Sequence, residues 1–200
     1  MPRGSASDAA SREEQRERLI VAALGVAAEH GLAELTVRRI AEAAGTSTMS
    51  VYSGFGGRAG VLEALYRRAF DMLGEAFGAV VPDQDVSVHL MGLATAYRDF
   101  ALESPARYSF MFDRPLPDFT PGPELRAAAL ETAFGPLIGV LGGDLRKAYA
   151  LWAVMHGLIG LEFADVLAAP PPSWGTVPDG GAAQRMYIAG VQAVLTGLGV

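Results

Sequence analysis

Apolar residues along this chain recur at intervals of three and four, the period of an amphipathic helix, and no stretch alternates long enough to predict a strand. Ile20, Ala23, Leu24 and Ala27 predict one face of a first helix that runs to about His30, where Gly31 stops it. Ser11 and Glu14 have capping-box spacing, so this helix is expected to begin at Arg12, leaving residues 1–11 as a small, polar, disordered tail. His30, before a closing glycine, is read as structural. A short stripe of Val37, Ile40, Ala41 and Ala44 predicts a second helix, capped by Thr36 and ended by Gly45. Ser47 caps a third, with Val51 and Phe55 inward. Ala41, Gly45 and Val51 together give the small–glycine–branched spacing of a helix-turn-helix, although any corner between two helices can use it.

The same period continues downstream. A fourth helix is expected from Arg58 to Val80, a fifth from Val86 to Glu103 and a sixth from Ala106 to Phe112, behind a Ser104 cap and Pro105. Four prolines make Asp113–Pro123 a loop. A seventh helix spans Glu124–Leu141, and an eighth follows its Asp144 cap to about Leu167. Ala169–Gly181 is a second loop, and a ninth helix covers Ala183–Leu198. The expected fold is all-α, with about nine helices.

Composition narrows the function. Half of the 200 residues are hydrophobic, so a large core is possible. No apolar run reaches about 18 residues and no signal-peptide core is present, which predicts a cytoplasmic protein without a membrane partner. The absence of cysteine excludes disulfides, thiolate metal sites and cysteine nucleophiles. The net charge of −6 is unevenly spread: residues 1–60 hold seven arginines and seven acids, and the rest of the chain carries the whole deficit. Long-range steering towards a polyanion is therefore not expected, while local phosphate contacts remain open.

The C-terminal half holds two constellations. Ala153, Gly157, Gly160 and Ala164 form a stripe of small residues, repeated by Gly190, Ala193 and Gly197 on the last helix. Such stripes let helices approach closely, either within one subunit or between two. The aromatics Tyr97, Phe100, Tyr108, Phe110, Phe112, Phe134, Trp152 and Phe163 are numerous enough to line a cavity, with His156 as a polar handle or as a hydrogen-bonded core residue. No Asp or Glu stands three or four residues from His156, and no HExxH pair occurs, so neither catalysis nor a metal nor a cofactor is expected.

From about Arg12 to Phe70 the chain resembles the DNA-binding domain of tetracycline-repressor (TetR) family regulators, through Gly31, Thr36, Ile40-Ala41, Ala44-Gly45, Val51-Tyr52, Phe55, Arg58 and Leu62. Trp152-Ala-Val-Met-His156-Gly157 and Pro105–Phe112 resemble a subgroup of that family marked by a Trp-x-x-x-His-Gly motif. The resemblance implies a helix-turn-helix DNA-binding domain over residues 12–72 and an effector-binding and dimerisation domain over 73–200. It implies a homodimer formed by helices 8 and 9, double-stranded operator DNA and a small-molecule effector as partners, and most simply a repressor. The third helix departs from the family pattern: it has no Lys or Arg, carries Thr48 where many members have a basic residue, and Gly54 where many have His. Base contacts are then expected from Thr46, Ser47, Thr48, Met49 and Ser50, and phosphate contacts from Thr36, Tyr52 and Arg58. Arg38 and Arg39 join this set, with one of them free to pair with Glu42. The alternative is an all-α small-molecule-binding protein or enzyme that no longer binds DNA.

Overall fold

The computed structural model describes residues 4–113, 116–166, 173 and 181–200. Among them are nine α-helices: α1 (Gly4–His30), α2 (Val37–Ala43), α3 (Thr48–Phe55), α4 (Arg58–Gly78), α5 (Val86–Glu103), α6 (Pro105–Phe112), α7 (Pro123–Val140), α8 (Leu145–Phe163) and α9 (Ala182–Gly197), with one 3-10 turn at Leu32–Glu34. By packing, the chain divides into two compact units. One takes the chain up to Ala69 together with Phe110–Arg126, and the other takes Phe70–Ser109 and Ala127–Val200. They are not successive stretches of sequence, since α4, α6 and α7 each contribute to both.

The caps follow local chemistry. Thr36 Oγ1 accepts the Arg39 N–H (3.2 Å), Asp85 Oδ1 accepts those of Ser87 and Val88, and Asp144 Oδ1 those of Arg146 and Lys147. Ser104 Oγ accepts from Arg107 N at 3.3 Å, directly before Pro105. Gly45 turns the chain at φ 62°, a conformation that a side chain would oppose.

Two boundaries differ most from the sequence expectation. α1 begins at Gly4, so Ser11 lies inside the helix and residues 4–10 are helical rather than a disordered tail. The capping-box spacing there is a coincidence of composition, because the Ala- and Ser-rich turn before it also forms helix. α1 turns Leu19, Ala23 and Val26 inward and leaves Leu24 exposed. This helix is apolar nearly all round in its middle, so its neighbours and not its period choose the face. α8 ends at Phe163 and not near Leu167; a turn over 164–166 follows, with Asp165 at φ 54°. The expected loop at Ala169–Gly181 falls almost wholly outside the described residues.

In the first unit, Leu19, Ala23, Leu35, Ile40, Ala41, Val51, Val61, Leu62 and Leu65 form the core, all at most 3 % exposed. The segment after α6 packs there too. Leu116 and Phe119 are buried, and Tyr66, Phe110 and Phe119 meet as a ring cluster with centroids 5.6 to 6.2 Å apart. In the second unit α8 packs on α9, and α5 packs on both. Its core runs through Leu90, Leu93, Ala94, Tyr97, Leu137, Leu151, Met155, Ile159, Tyr187, Val191 and Leu195.

Candidate functional site

α3 is short, and its buried side chain is Val51, fully enclosed against α1 and α2. The other side of the helix is left outward. Met49 and Tyr52 are 72 % and 54 % exposed, and Ser47, Thr48 and Ser53 are exposed as well. The hydroxyls are ordered among themselves. Thr46 Oγ1 donates to Ser50 Oγ at 2.9 Å, Ser47 Oγ lies 3.2 Å from the same atom, and Ser47 Oγ also accepts the Ser50 N–H. The Tyr52 ring rests on Gly57, where an added Cβ would sit 3.3 Å from Cε1. The five residues expected to meet bases therefore share one surface, with Tyr52 beside them. It is uncharged and presents hydroxyl donors and acceptors plus one thioether.

The arginines around it are engaged with the protein itself. Arg38 pairs with Glu42 at 2.9 Å, which holds its guanidinium pKa above the ordinary value through that hydrogen bond and charge. Arg39 lies 3.3 Å from Glu34. Both pairs are exposed, and such pairs are weak enough for a phosphate to displace the carboxylate. Arg58 is different. Its Nε donates to the Leu35 carbonyl (2.6 Å), Nη2 to that of Leu32 (3.3 Å), and Nη1 meets Asp118 (2.5 Å). Each nitrogen already has a protein acceptor, and the side chain is only 24 % exposed. In this structure Arg58 thus braces the chain between α1 and α2. The acceptors are main-chain carbonyls and an aspartate sixty residues away, which spacing alone does not reveal.

In the second unit, four of the aromatic and histidine candidates converge. Trp152 Nε1–H donates to Tyr97 Oη (3.0 Å), Tyr97 Oη lies 2.9 Å from Tyr108 Oη, and Tyr108 Oη lies 2.5 Å from His156 Nδ1. One consistent proton order runs from the indole through both phenols to His156, with Nδ1 as acceptor. Tyr97 and Tyr108 are buried to 2 % exposure or less, so the cluster lies inside the core. Phe100 lies apart, covered by the Arg107 guanidinium at 4.0 Å. Phe112 is half-buried. Phe110 and Phe119 meet Tyr66 in the first unit.

A pocket of about 210 Å³ opens between α7 and α8, lined by Leu130, Glu131, Phe134, Ile138, Ala148, Tyr149 and Trp152. Phe134 and Trp152 meet there with ring centroids 4.2 Å apart. The sequence predicts those two and misses the rest. Leu130, Phe134 and Ile138 stand four apart on α7, so extending the period from Phe134 in both directions would have found its neighbours. Among the described residues no group of His, Cys, Asp and Glu could hold a metal ion, and no single helix is long and apolar enough to cross a membrane.

The small stripes lie outward. Ala153, Gly157, Gly160, Ala164, Ala193 and Gly197 are exposed, while Ala148, Leu151, Met155 and Ile159 form the inward face of α8. A Cβ at Gly157, Gly160 or Gly197 would meet nothing within 4 Å. Gly190 is the exception: a Cβ there would come within 2.7 Å of Leu158 Cδ1, so packing inside the chain accounts for it.

Two family models match. One, described as "Bacterial regulatory proteins, tetR family", covers residues 19–65, and another, "Tetracyclin repressor-like, C-terminal domain", covers 90–175. The chain is 28% identical over 163 residues to an uncharacterised HTH-type transcriptional regulator of Mycobacterium tuberculosis, Rv0681, covering 76% of this chain and 72% of that protein. It is 43% identical over 65 residues to the HTH-type transcriptional regulator BetI 2 of Chromohalobacter salexigens, 32% of this chain and 31% of that one. Among solved structures, the putative regulatory protein SCO4313 has the same fold, with a TM-score of 0.69 at 23% identity, covering 98% of this chain and all of that one.

Proposed function

Because this chain belongs to the tetR family of bacterial regulatory proteins and is a DNA-binding transcriptional regulator, we propose that it acts in the cytoplasm as a homodimeric repressor, released from a near-palindromic operator by a small, mostly apolar effector. The observation that carries this reading is the exposed, internally ordered hydroxyl surface of α3. Thr46, Ser47, Thr48, Met49 and Ser50 face the major groove, where hydroxyls tolerate either donors or acceptors and Met49 meets thymine methyls. Thr36 and Tyr52 contact phosphate, and Arg38 and Arg39 exchange their carboxylates for it. Arg58 holds the α1–α2 connection in place rather than touching DNA.

The second copy covers the outward stripes of α8 and α9. Gly157, Gly160 and Gly197 have no packing demand inside the chain, yet they keep that face flat for close helix approach. A two-fold dimer then presents two α3 helices to half-sites related by the same axis. The effector enters the pocket at Phe134 and Trp152, next to the Tyr97–Tyr108–His156 hydrogen bonds, which a bound molecule can rearrange. For a hundredfold loss of DNA affinity, the coupling between effector and DNA must be about 2.7 kcal/mol. DNA must weaken effector binding by the same factor.

The test starts from duplexes that the protein enriches from a random pool. Enrichment of a near-palindrome, released by an apolar compound found in a thermal-shift screen, is the expected result. A compound that binds tightly and leaves DNA affinity unchanged sinks the coupling. Failure to enrich any duplex would leave the small-molecule-binding alternative standing.

A further inference from the structure

α3 ends among acceptors that no helical donor can reach. The last four carbonyls of any helix lack an intrahelical partner, and here they belong to Tyr52, Ser53, Gly54 and Phe55. Gly56, left-handed at φ 72°, turns its N–H back to the Tyr52 carbonyl at 2.8 Å. The Gly54 carbonyl accepts instead from Arg16 Nη1, reaching across from α1. The same guanidinium lies 4.3 Å from the centre of the Phe55 ring, and Glu13 stands 4.0 Å from its Nε. Gly54 permits the approach: a Cβ there would already touch Leu19 Cδ1 at 3.5 Å and Arg16 Cγ at 3.9 Å, and a longer side chain would occupy the space of the arginine stem. A cation at this end also meets the negative pole of the α3 dipole.

We propose that Arg16 is a positioning residue that sets the pose of α3, so that its loss degrades discrimination between DNA sequences and leaves general affinity for DNA intact. α3 has eight residues, one fully buried anchor in Val51, and hydroxyls as its means of reading bases. A hydroxyl accepts several base edges, so the orientation of the helix carries the selection. The caps at Ser47 and Gly56 are local and shape only the helix itself. Arg16 ties its C-terminal end to α1 through a main-chain oxygen and an aromatic face, and so fixes tilt about Val51. Its contacts on α3 are with Gly54 and Phe55, at the end of the helix opposite Ser47.

The experiment uses the full chain with Arg16→Ala, Arg16→Gln and Arg16→Lys. Affinity is measured across a salt series for the duplex the parent enriches and for a scrambled duplex. The expected result is a loss of roughly tenfold on the enriched duplex, the scale of one mismatched base pair, with the scrambled duplex and both salt slopes unchanged. Arg16→Lys should recover much of the loss, since it keeps the charge and a donor. Equal losses on both duplexes with a salt slope lower by about one would make Arg16 a phosphate contact and overturn the proposal. No change on either duplex would overturn it as well. If Arg16→Ala loses its helical circular dichroism, the same readings on Arg16→Gln decide. Hydrogen exchange adds a readout without DNA: amides of 51–56 should exchange faster in Arg16→Ala, while those of α2 do not. Unchanged exchange there counts against the tether even if the parent enriches no duplex, an outcome that would otherwise fault the operator reading alone.

Discussion

In the helix-turn-helix unit, charged side chains reach main-chain oxygens: Arg16 that of Gly54, Arg58 those of Leu32 and Leu35. In the C-terminal unit Arg107 likewise reaches the Phe100 carbonyl, but a cluster of part-buried polar side chains also reach one another. Trp152, Tyr97, Tyr108 and His156 form one set, and Arg98 and Glu162 a bidentate pair at 2.9 and 2.6 Å. The difference has a physical meaning. A side chain bonded to the backbone fixes the path of the chain, which suits a surface that must match a rigid duplex. Side chains bonded to each other can exchange partners with a bound molecule that offers equivalent donors and acceptors, at little cost to the fold. Tyr187 stands between the two habits. It donates to the Ala94 carbonyl at 2.7 Å, and burial, foremost, pushes its phenol pKa well above the ordinary value.

The largest effect should come from breaking the Arg98–Glu162 pair. Both side chains are mostly buried, at 13 % and 17 % exposure, and removing one partner of a buried pair leaves an uncompensated charge. Glu162→Ala is expected to lose somewhat less than the ~3–5 kcal/mol of a fully buried case, read as a shift in the denaturant midpoint. Glu162→Gln should lose less, because an amide can still accept from the guanidinium.

Next comes backbone contact in the first unit. A Cβ on Gly60 would overlap the Phe55 carbonyl oxygen, so α4 or the α3–α4 turn must move. Gly60→Ala should destabilise by ~1–3 kcal/mol. It should also lower DNA affinity, since the displaced turn ends α3. Arg58→Ala strips donors from two main-chain carbonyls, for ~1–3 kcal/mol. The salt slope of DNA binding should stay at the parent value in Arg58→Ala; a fall by about one would return Arg58 to the phosphate contacts.

The C-terminal face gives the sharpest contrast with Gly60. Gly157→Leu meets open space inside the chain, so monomer stability should hardly change while the dimer dissociates in sedimentation. A dimer of parental affinity would remove α8 from the interface. Smallest of all, Tyr187→Phe should lose about 0.5–1.5 kcal/mol at neutral pH, from one hydrogen bond. The pH dependence follows from the raised phenol. The unfolded phenol ionises first, near pH 10, so the stability contributed by Tyr187 is full below that and declines as pH rises further. Tyr187→Phe should flatten that alkaline decline in thermal melts.

Local chemistry made most of the fold legible. Caps and breakers act within four residues, so Thr36, Gly45, Ser47, Ser104 and Asp144 announce their turns in the sequence itself. The outward surface of α3 follows from Val51 being its apolar anchor. The start of α1 was not legible, because two weak helix signals overlap there. Nor was its buried face, because a helix apolar all round takes its orientation from its neighbours. The role of Arg58 lay beyond the sequence for a different reason: main-chain carbonyls carry no residue identity, so no pattern of letters marks Leu32 and Leu35 as its acceptors, or Gly54 as that of Arg16. Nor does composition show that Phe110 and Phe119, nine residues apart, meet on Tyr66. Periodicity determines which residues can face a core. Which core they face, and which polar groups meet across it, is decided only when the helices are brought together.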